Sequence, residues 1–370
     1  MSIIIDHIFI MKIRSKITLS NEFFSDFLNN VKTIKKVKFL IFILKKTNSV
    51  IMSPDIICLG ELLVEIMRPE VDTPHGKIGA NYRGPFPSGA PAIFIDSAAR
   101  MGKPFNITTG YVGVAGNDEF GQSIIEKLKN DGVDVSQIRI AKGKTTGIAF
   151  NQYNSNGKRK FIFAAGAAGE TSPEDVKEIY FEGVKSLHIM GSALSISENS
   201  REACYKAIKI AKKKNPNVII SFDPNLRPEM LDLNIILKIS KPVLESTTIL
   251  LPSGEEAEML ASVKGENKAC QELLKKGPKI VVLKQGKDGC TIFTKKNTNG
   301  IKVSAFKVKE VDPTGAGDSF GGAFIIGYLA GWDLEKAAKF ANAVGALKVE
   351  FFGPMSNNNY EEVMNFIEKH

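Results

Sequence analysis

Between Asp312 and Asp318 the chain reads Asp-Pro-Thr-Gly-Ala-Gly-Asp, and an apolar stretch from Ser319 to Leu329 follows directly. Three successive small residues, Gly315, Ala316 and Gly317, leave backbone N–H groups uncovered at the positive end of a helix dipole. An anion can approach there without meeting a side chain. Such a turn suits phosphate. A carboxylate in the first turn of that helix, Asp318, is a poor neighbour for phosphate unless it serves as a base aimed at a hydroxyl. The same residues also admit a structural reading, with Asp318 as a helix cap and the glycines as packing devices.

Residues with this chemistry need a rigid frame. Short apolar runs suited to buried parallel strands occur at Ile56 to Gly60, Ser186 to Met190, Val218 to Phe222 and Ile280 to Leu283. Helical patterns lie between them. Phe120 to Leu128 precedes the stop signal Asn130-Asp131-Gly132, and Glu198 to Lys214 ends at Asn215-Pro216. Strand alternating with helix predicts an α/β fold, a parallel sheet covered on both faces with ligands at the C-terminal ends of its strands. The runs Gly147 to Tyr153 and Lys158 to Phe163, joined by Asn154-Ser155-Asn156-Gly157, break that rhythm as a polar hairpin. With the stretch from Met67 to Ser88 they predict a small sheet over the site, its lid elements near 67–88 and 144–165.

Composition narrows the function classes. The chain has 370 residues and a net charge of +9, of which +6 falls in residues 1–51. The body is nearly neutral and carries no basic stripe interleaved with aromatics, which argues against nucleic acid. Cys58, Cys204, Cys270 and Cys290 are far apart and form no CxxC pair. They read as buried apolar residues in a reducing compartment, which implies a cytoplasmic location. His188, inside an apolar run, reads as a satisfied strand residue. The apolar run Phe39 to Leu44 is too short to span a bilayer, so no membrane partner is expected. Residues 1–51 are not Arg-rich and contain Glu22 and Asp26, unlike a targeting presequence. They read as an extension outside the fold, with Met52 as the natural start and the domain spanning 52–370. Gly143-Lys144-Thr145 is no phosphate-binding P-loop, because Ile138 stands where that motif needs glycine.

Five separated strings then occur in one order: Gly60-Glu61-Leu62, Ser88 to Ala92, Gly116 to Gly121, Asp223-Pro224-Asn225-Leu226-Arg227 and Asp312 to Asp318. In this the chain resembles the ribokinase-like (PfkB) carbohydrate kinases over about Asp55 to Asn365, and five ordered motifs are far more specific than one. The resemblance implies a three-layer α/β/α core with a β lid, and an ATP-dependent phosphotransferase using magnesium and potassium. It implies Asp318 as the base, and Gly315, Ala316 and Gly317 as the anion hole. Arg227 would reach the substrate, with Glu65, Gly89 and Ala90 lining the sugar site. Ser253, Glu256, Lys284, Gly286, Gly289 and Asn342 would lie along the nucleotide, although Asn342 reads equally well as an ordinary polar helix residue. Asp312 and Thr314 resemble part of a monovalent-cation site, to which Gly353 and Ser356 would add, and Glu256 would serve magnesium. A homodimer through the lid is a further expectation.

Departures from the family pattern bear on the substrate. Ser253 replaces the Asn of an Asn-x-x-Glu stretch, and Ile93 replaces a sugar-contacting Asn. Glu65 stands where ribokinase has Asp, which speaks against ribose. The strings around Leu251 and Leu283 resemble the ketodeoxygluconate kinase and fructokinase branch. A sugar acid needs a cation, ideally an arginine. The lid position that supplies one in ketodeoxygluconate kinases reads Ala149-Phe150-Asn151, and Arg159 and Lys160 are expected to face solvent. The expectation is therefore a neutral ketohexose, fructose or tagatose, phosphorylated on a primary hydroxyl. Ketodeoxygluconate kinase, or a catalytically silent sugar-binding regulator on the same fold, is the alternative.

Overall fold

The computed structural model describes residues 53–370 apart from 156–158 and 229. The expectations for residues 1–51 therefore lie outside the described residues, as does part of the hairpin loop. In chain order the elements are β1 (Ile56–Glu61), β2 (Leu63–Met67), β3 (Arg83–Ser88), α1 (Ala90–Gly102), β4 (Thr109–Gly116), α2 (Glu119–Asp131) and β5 (Val133–Ala141). Then come β6 (Gly147–Tyr153), β7 (Arg159–Ala164), β8 (Ser186–Met190), α3 (Gly191–Ser195), α4 (Glu198–Lys214), β9 (Ile219–Asp223), α5 (Leu233–Ser246) and β10 (Ile249–Leu250). The last are α6 (Gly254–Ala261), α7 (Glu266–Leu273), β11 (Ile280–Lys284), β12 (Cys290–Thr294), β13 (Ile301–Val303), α8 (Ala316–Leu329), α9 (Leu334–Val349) and α10 (Tyr360–Lys369).

Every residue of β1 is buried, as a strand covered on both faces requires. Ile56 and Cys58 join the core beneath α1 and α8, while Ile57 and Leu59, equally buried, alternate to the other face. The large sheet runs β13-β12-β11-β10-β9-β8-β1-β4-β5. From β11 to β5 all pairings are parallel, while β12 and β13 are antiparallel. That edge departs from the expected all-parallel sheet because the short turn after Lys284 leaves no room for a crossover helix.

The second sheet runs β3-β2-β6-β7. The hairpin β6–β7 and the strand β3 fall where the lid is expected, and β2 completes the sheet, continuing from β1 after the single residue Leu62. Core and small sheet are tied at the base by Asp118, which caps α2 through Gly121 N (2.9 Å) and accepts from Thr146 N and Oγ1 (both 2.6 Å). His188 is the buried strand residue expected: it meets Ser221 Oγ at 2.9 Å and stacks on Phe94. All four cysteines are free and buried.

Helix α8 is buried on nearly all sides because α1 and α9 flank it. Small residues permit this: a Cβ on Gly322 would lie 2.5 Å from Phe94 O. The packing reading of the glycines therefore holds inside the helix.

Candidate active site

The C-terminal ends of β1, β8, β9, β10 and β11 converge on the start of α8, the place where open α/β sheets collect ligands. Gly315 caps that helix in a left-handed conformation, φ 77°. No side chain caps it, so the structural reading of Asp318 as the cap does not hold. Asp318 instead sits buried in the first turn, with Asn225 Nδ2 donating to its Oδ1 at 3.5 Å. Asn225 itself is bent into the left-handed region, φ 37°, directly after the end of β9. Strain of this kind collects where a side chain must be aimed. Burial raises the Asp318 pKa above the ordinary aspartate value, opposed by Lys284, Arg227 and Arg159.

A cavity opens onto Asp318, and all five residues expected at the sugar site, Glu65, Gly89, Ala90, Arg227 and Asp318, line it. Thr314 and Gly315 share its wall, as does Ile93. Gly89 has φ 109°, and a Cβ there would lie 2.4 Å from Glu61 O, so only glycine lets α1 start this close to β1. Two acids line the cavity near the core–lid junction. Glu61 ends β1 and Glu65 lies in β2. Ser192 Oγ donates to Glu61 Oε1 (2.6 Å) and Ser88 Oγ to Glu65 Oε1 (2.9 Å), while Oε2 of each is buried without a partner among the described residues. Burial pushes both carboxyls up to about 7. Unpartnered buried oxygens are costly, and a ligand's hydroxyls would satisfy them.

Arg159 corrects the solvent-facing expectation. It is exposed by area, yet it lines this cavity beside Phe161 and favours the charged forms of Glu65 and Asp318. Strand alternation explains the difference: Arg159, Phe161 and Phe163 share one face of β7, and all three line the cavity, while Ile162 faces away.

On the other side of the turn, Lys284 ends β11 with its ammonium paired to Asp223 at the end of β9. The Nζ would stand 3.4 Å from a Cβ built on Gly317, at the first turn of α8, where Ala316 N, expected among the anion-hole amides, instead donates to Pro313 O at 3.2 Å. Burial works against this ammonium, but Asp223 and Glu256 outweigh it and raise its pKa. Ser253 bridges to Lys284 across the strand ends. Glu256 forms a capping box with Ser253, accepting from its N and Oγ (both 2.8 Å), and its Oε1 accepts from Leu226 N at 2.9 Å. Gly286 and Gly289 make the tight β11–β12 turn. Asn342 is not part of this group: its amide donates to Val303 O (3.0 Å) and Ser304 O (3.1 Å).

Asp312 holds the turn from behind. Its Oδ1 accepts from Thr314 N (2.9 Å) and Oγ1 (2.6 Å) and from Tyr153 OH (3.0 Å), and its Oδ2 from Gly353 N (2.7 Å). Tyr153 comes from β6, so the small sheet is latched to the turn. The fully buried Lys348 completes the group, and burial lowers its pKa to about 8 against the pull of Asp312.

A glycine-capped helix start, a buried carboxylate and a lysine beside them lie together at the strand ends of a doubly wound α/β core. The pfkB family carbohydrate kinase model matches residues 53–360, and the chain belongs to that family. It is 31% identical over 303 residues to a 5-dehydro-2-deoxygluconokinase of Clostridium perfringens, covering 80% of this chain and 87% of the relative. A 2-dehydro-3-deoxygluconokinase of Thermoproteus tenax is 30% identical over 300 residues, covering 80% and 88%. Among solved structures, a candidate ribokinase II from E. coli in complex with ATP and magnesium superposes with TM-score 0.78 at 38% identity, covering 86% of this chain and all of that one. The fold is thus ribokinase-like, and the protein is an ATP-binding carbohydrate kinase. Among the described residues no helix is long and apolar enough to cross a membrane.

Sequence reasoning left Glu61, Asp223 and Asn225 without roles although each stands in a quoted motif. A polar residue at the C-terminal end of a parallel strand was the available signal for the first two. Ser192 and Lys348 lie outside every quoted motif, and only the fold brings them in.

Proposed function

We propose that the chain transfers the γ-phosphate of ATP to a primary hydroxyl of a keto-deoxy sugar acid. The observation that carries this is the presence of Arg159 and Arg227 in the cavity that holds Asp318, since two guanidinium groups match a substrate carboxylate. The acid-sugar specificity in the names of both gluconokinase relatives supports it. Asp318 takes the proton of the attacking hydroxyl as its oxygen bonds to the γ-phosphorus and the bridging oxygen departs with ADP. The amides of Gly315, Gly317 and Asp318 and the Lys284 ammonium stabilise the charge on the transferring group. Glu61 and Glu65 accept from substrate hydroxyls. Magnesium arriving with the nucleotide supplies charge neutralisation on phosphate oxygens. A carboxylate has about four acceptor positions, so Glu256, with three in use, fits as a single ligand beside phosphate and water.

A neutral ketohexose is the second reading, favoured by the small, uncharged Ala149 at the lid position that lines the cavity. A panel of 2-dehydro-3-deoxygluconate, 5-dehydro-2-deoxygluconate, fructose, tagatose and ribose separates the two. Arg159→Ala is expected to raise KM for a sugar acid by about tenfold or more, the worth of a charge-assisted hydrogen bond, and to leave KM for fructose within about twofold. Preferred turnover of fructose or tagatose, indifferent to Arg159→Ala, would establish the neutral reading instead.

We also extend the reading to a homodimer through the lid, whose edge strand β7 exposes Ile162. Light scattering should give twice the chain mass, and a monomer at micromolar concentration would dismiss this.

A further inference from the structure

We propose that the ammonium of Lys348 is a built-in monovalent cation for the Asp312 turn, engaging the same Asp312 to which the resemblance assigns a potassium ion. The donor set around it is the kind a hard monovalent ion would use. Lys348 Nζ donates to Asp312 O (2.8 Å) and Phe351 O (3.2 Å) and lies 4.0 Å from Asp312 Oδ2. Two backbone carbonyls and a carboxylate thus surround a charge that is fully buried. A lysine is almost never fully buried unless it is paired in this way. A second cation in contact with the same oxygens would face the ammonium a few ångströms away in a dry interior, where like charges repel strongly.

The position has mechanical consequences. Asp312 N and Val311 N donate to Val349 O at the C-terminal end of α9, so the chain before the turn is fixed to that helix end. Lys348, one residue earlier, spans from this end to the 351–353 segment and back to Asp312. Gly353 N and Thr314 N both bind the Asp312 carboxylate. The ammonium therefore clamps together the two chain segments that set the conformation of Gly315, whose amide and the next ones form the anion turn. A cation near a helix C-terminus is also favourably placed in the helix dipole.

Lys348 enters the final turn of α9 as one of many lysines in the sequence. Nothing in its spacing marks it.

The inference rests on reading 312–318 as the anion turn, but its thermal readout needs no substrate and stands apart from that reading. The full chain, freed of alkali cations, is compared in choline, sodium and potassium chloride at equal ionic strength. Turnover is expected to agree within about twofold and Tm within about 1 °C, because no ligand-linked stabilisation is available to the wild type. A tenfold or greater activation by potassium, or a saturable rise in Tm of several degrees, would overturn the proposal. Lys348→Ala is expected to lose turnover by about tenfold or more in choline and to acquire a saturable potassium-dependent rise in Tm. An unchanged Tm and turnover in Lys348→Ala, or the same potassium response in both chains, would also overturn it.

Discussion

Asp318→Asn should lower kcat by about two to four orders of magnitude, the range for loss of a general base, while KM for the sugar stays within about threefold. Asparagine fills the same volume, and Asn225 can still bond to Oδ1, so the start of α8 and the cavity wall persist. What disappears is the only function confined to the transition state, acceptance of the hydroxyl proton. An interaction made only there lowers kcat without changing ground-state binding. The same carboxylate sets the pH dependence. Burial raises its pKa above the usual aspartate value, and the base works only when ionised, so kcat/KM should rise with pH along an acid limb shifted upward from the ordinary aspartate range. In Asp318→Asn that limb should vanish from the residual rate. Steady-state kinetics in both nucleotide and sugar check this, with Tm confirming the fold. Wild-type turnover in the variant would remove Asp318 from the chemistry.

The legible parts of this protein are those where one physical demand acts alone. Ile56 to Gly60 reads as a strand because a parallel strand covered on both faces must be apolar throughout. The end of α4 at Asn215-Pro216 and of α2 at Gly132 read correctly because caps are local chemistry. Strand β2 is harder: Leu63-Val64-Glu65-Ile66-Met67 carries a charge in its centre, and that charge points to the cavity rather than to solvent. Strand β5 lies at the sheet edge with only its two end residues buried, and β4 is interrupted by glycine, so neither makes a continuous apolar run. The site divides the same way. The anion turn is contiguous, so its dipole, its bare amides and its acid can be read from seven residues. The cavity is assembled from β1, β2, α1, β6, β7, α3, the loop after β9 and the turn into α8, and no spacing rule connects Arg159 to Asp318. Lys348 is the extreme case. A buried lysine and a solvated one look the same in sequence, and only its oxygen partners distinguish them.

Gly315→Ala should cut kcat by about two to three orders of magnitude, comparable to removing an oxyanion-hole donor, although no catalytic side chain changes. A Cβ at this position would lie 2.3 Å from Pro354 O and 3.2 Å from Ile93 Cγ2, with φ at 77°. The Cγ2 methyl of Ile93 can yield by a few tenths of an ångström. The Pro354 carbonyl cannot follow easily, because Gly353 N is bonded to Asp312 Oδ2 at 2.7 Å and Lys348 holds Phe351 O. The turn must therefore move, and with it the amides that face the phosphoryl group. Left-handed backbone strain for a non-glycine residue costs about 1–3 kcal/mol, so Tm should fall by several degrees while the fold survives. The double variant Gly315→Ala/Asp318→Asn tests whether base and amides act as one unit. Groups that cooperate in a single step are grossly non-additive, so the double variant should be little worse than Asp318→Asn alone. Strict multiplication of the two losses would mean that the amides and the carboxylate serve separate steps, and wild-type turnover in Gly315→Ala would mean that the amides do not touch the transferring phosphoryl at all.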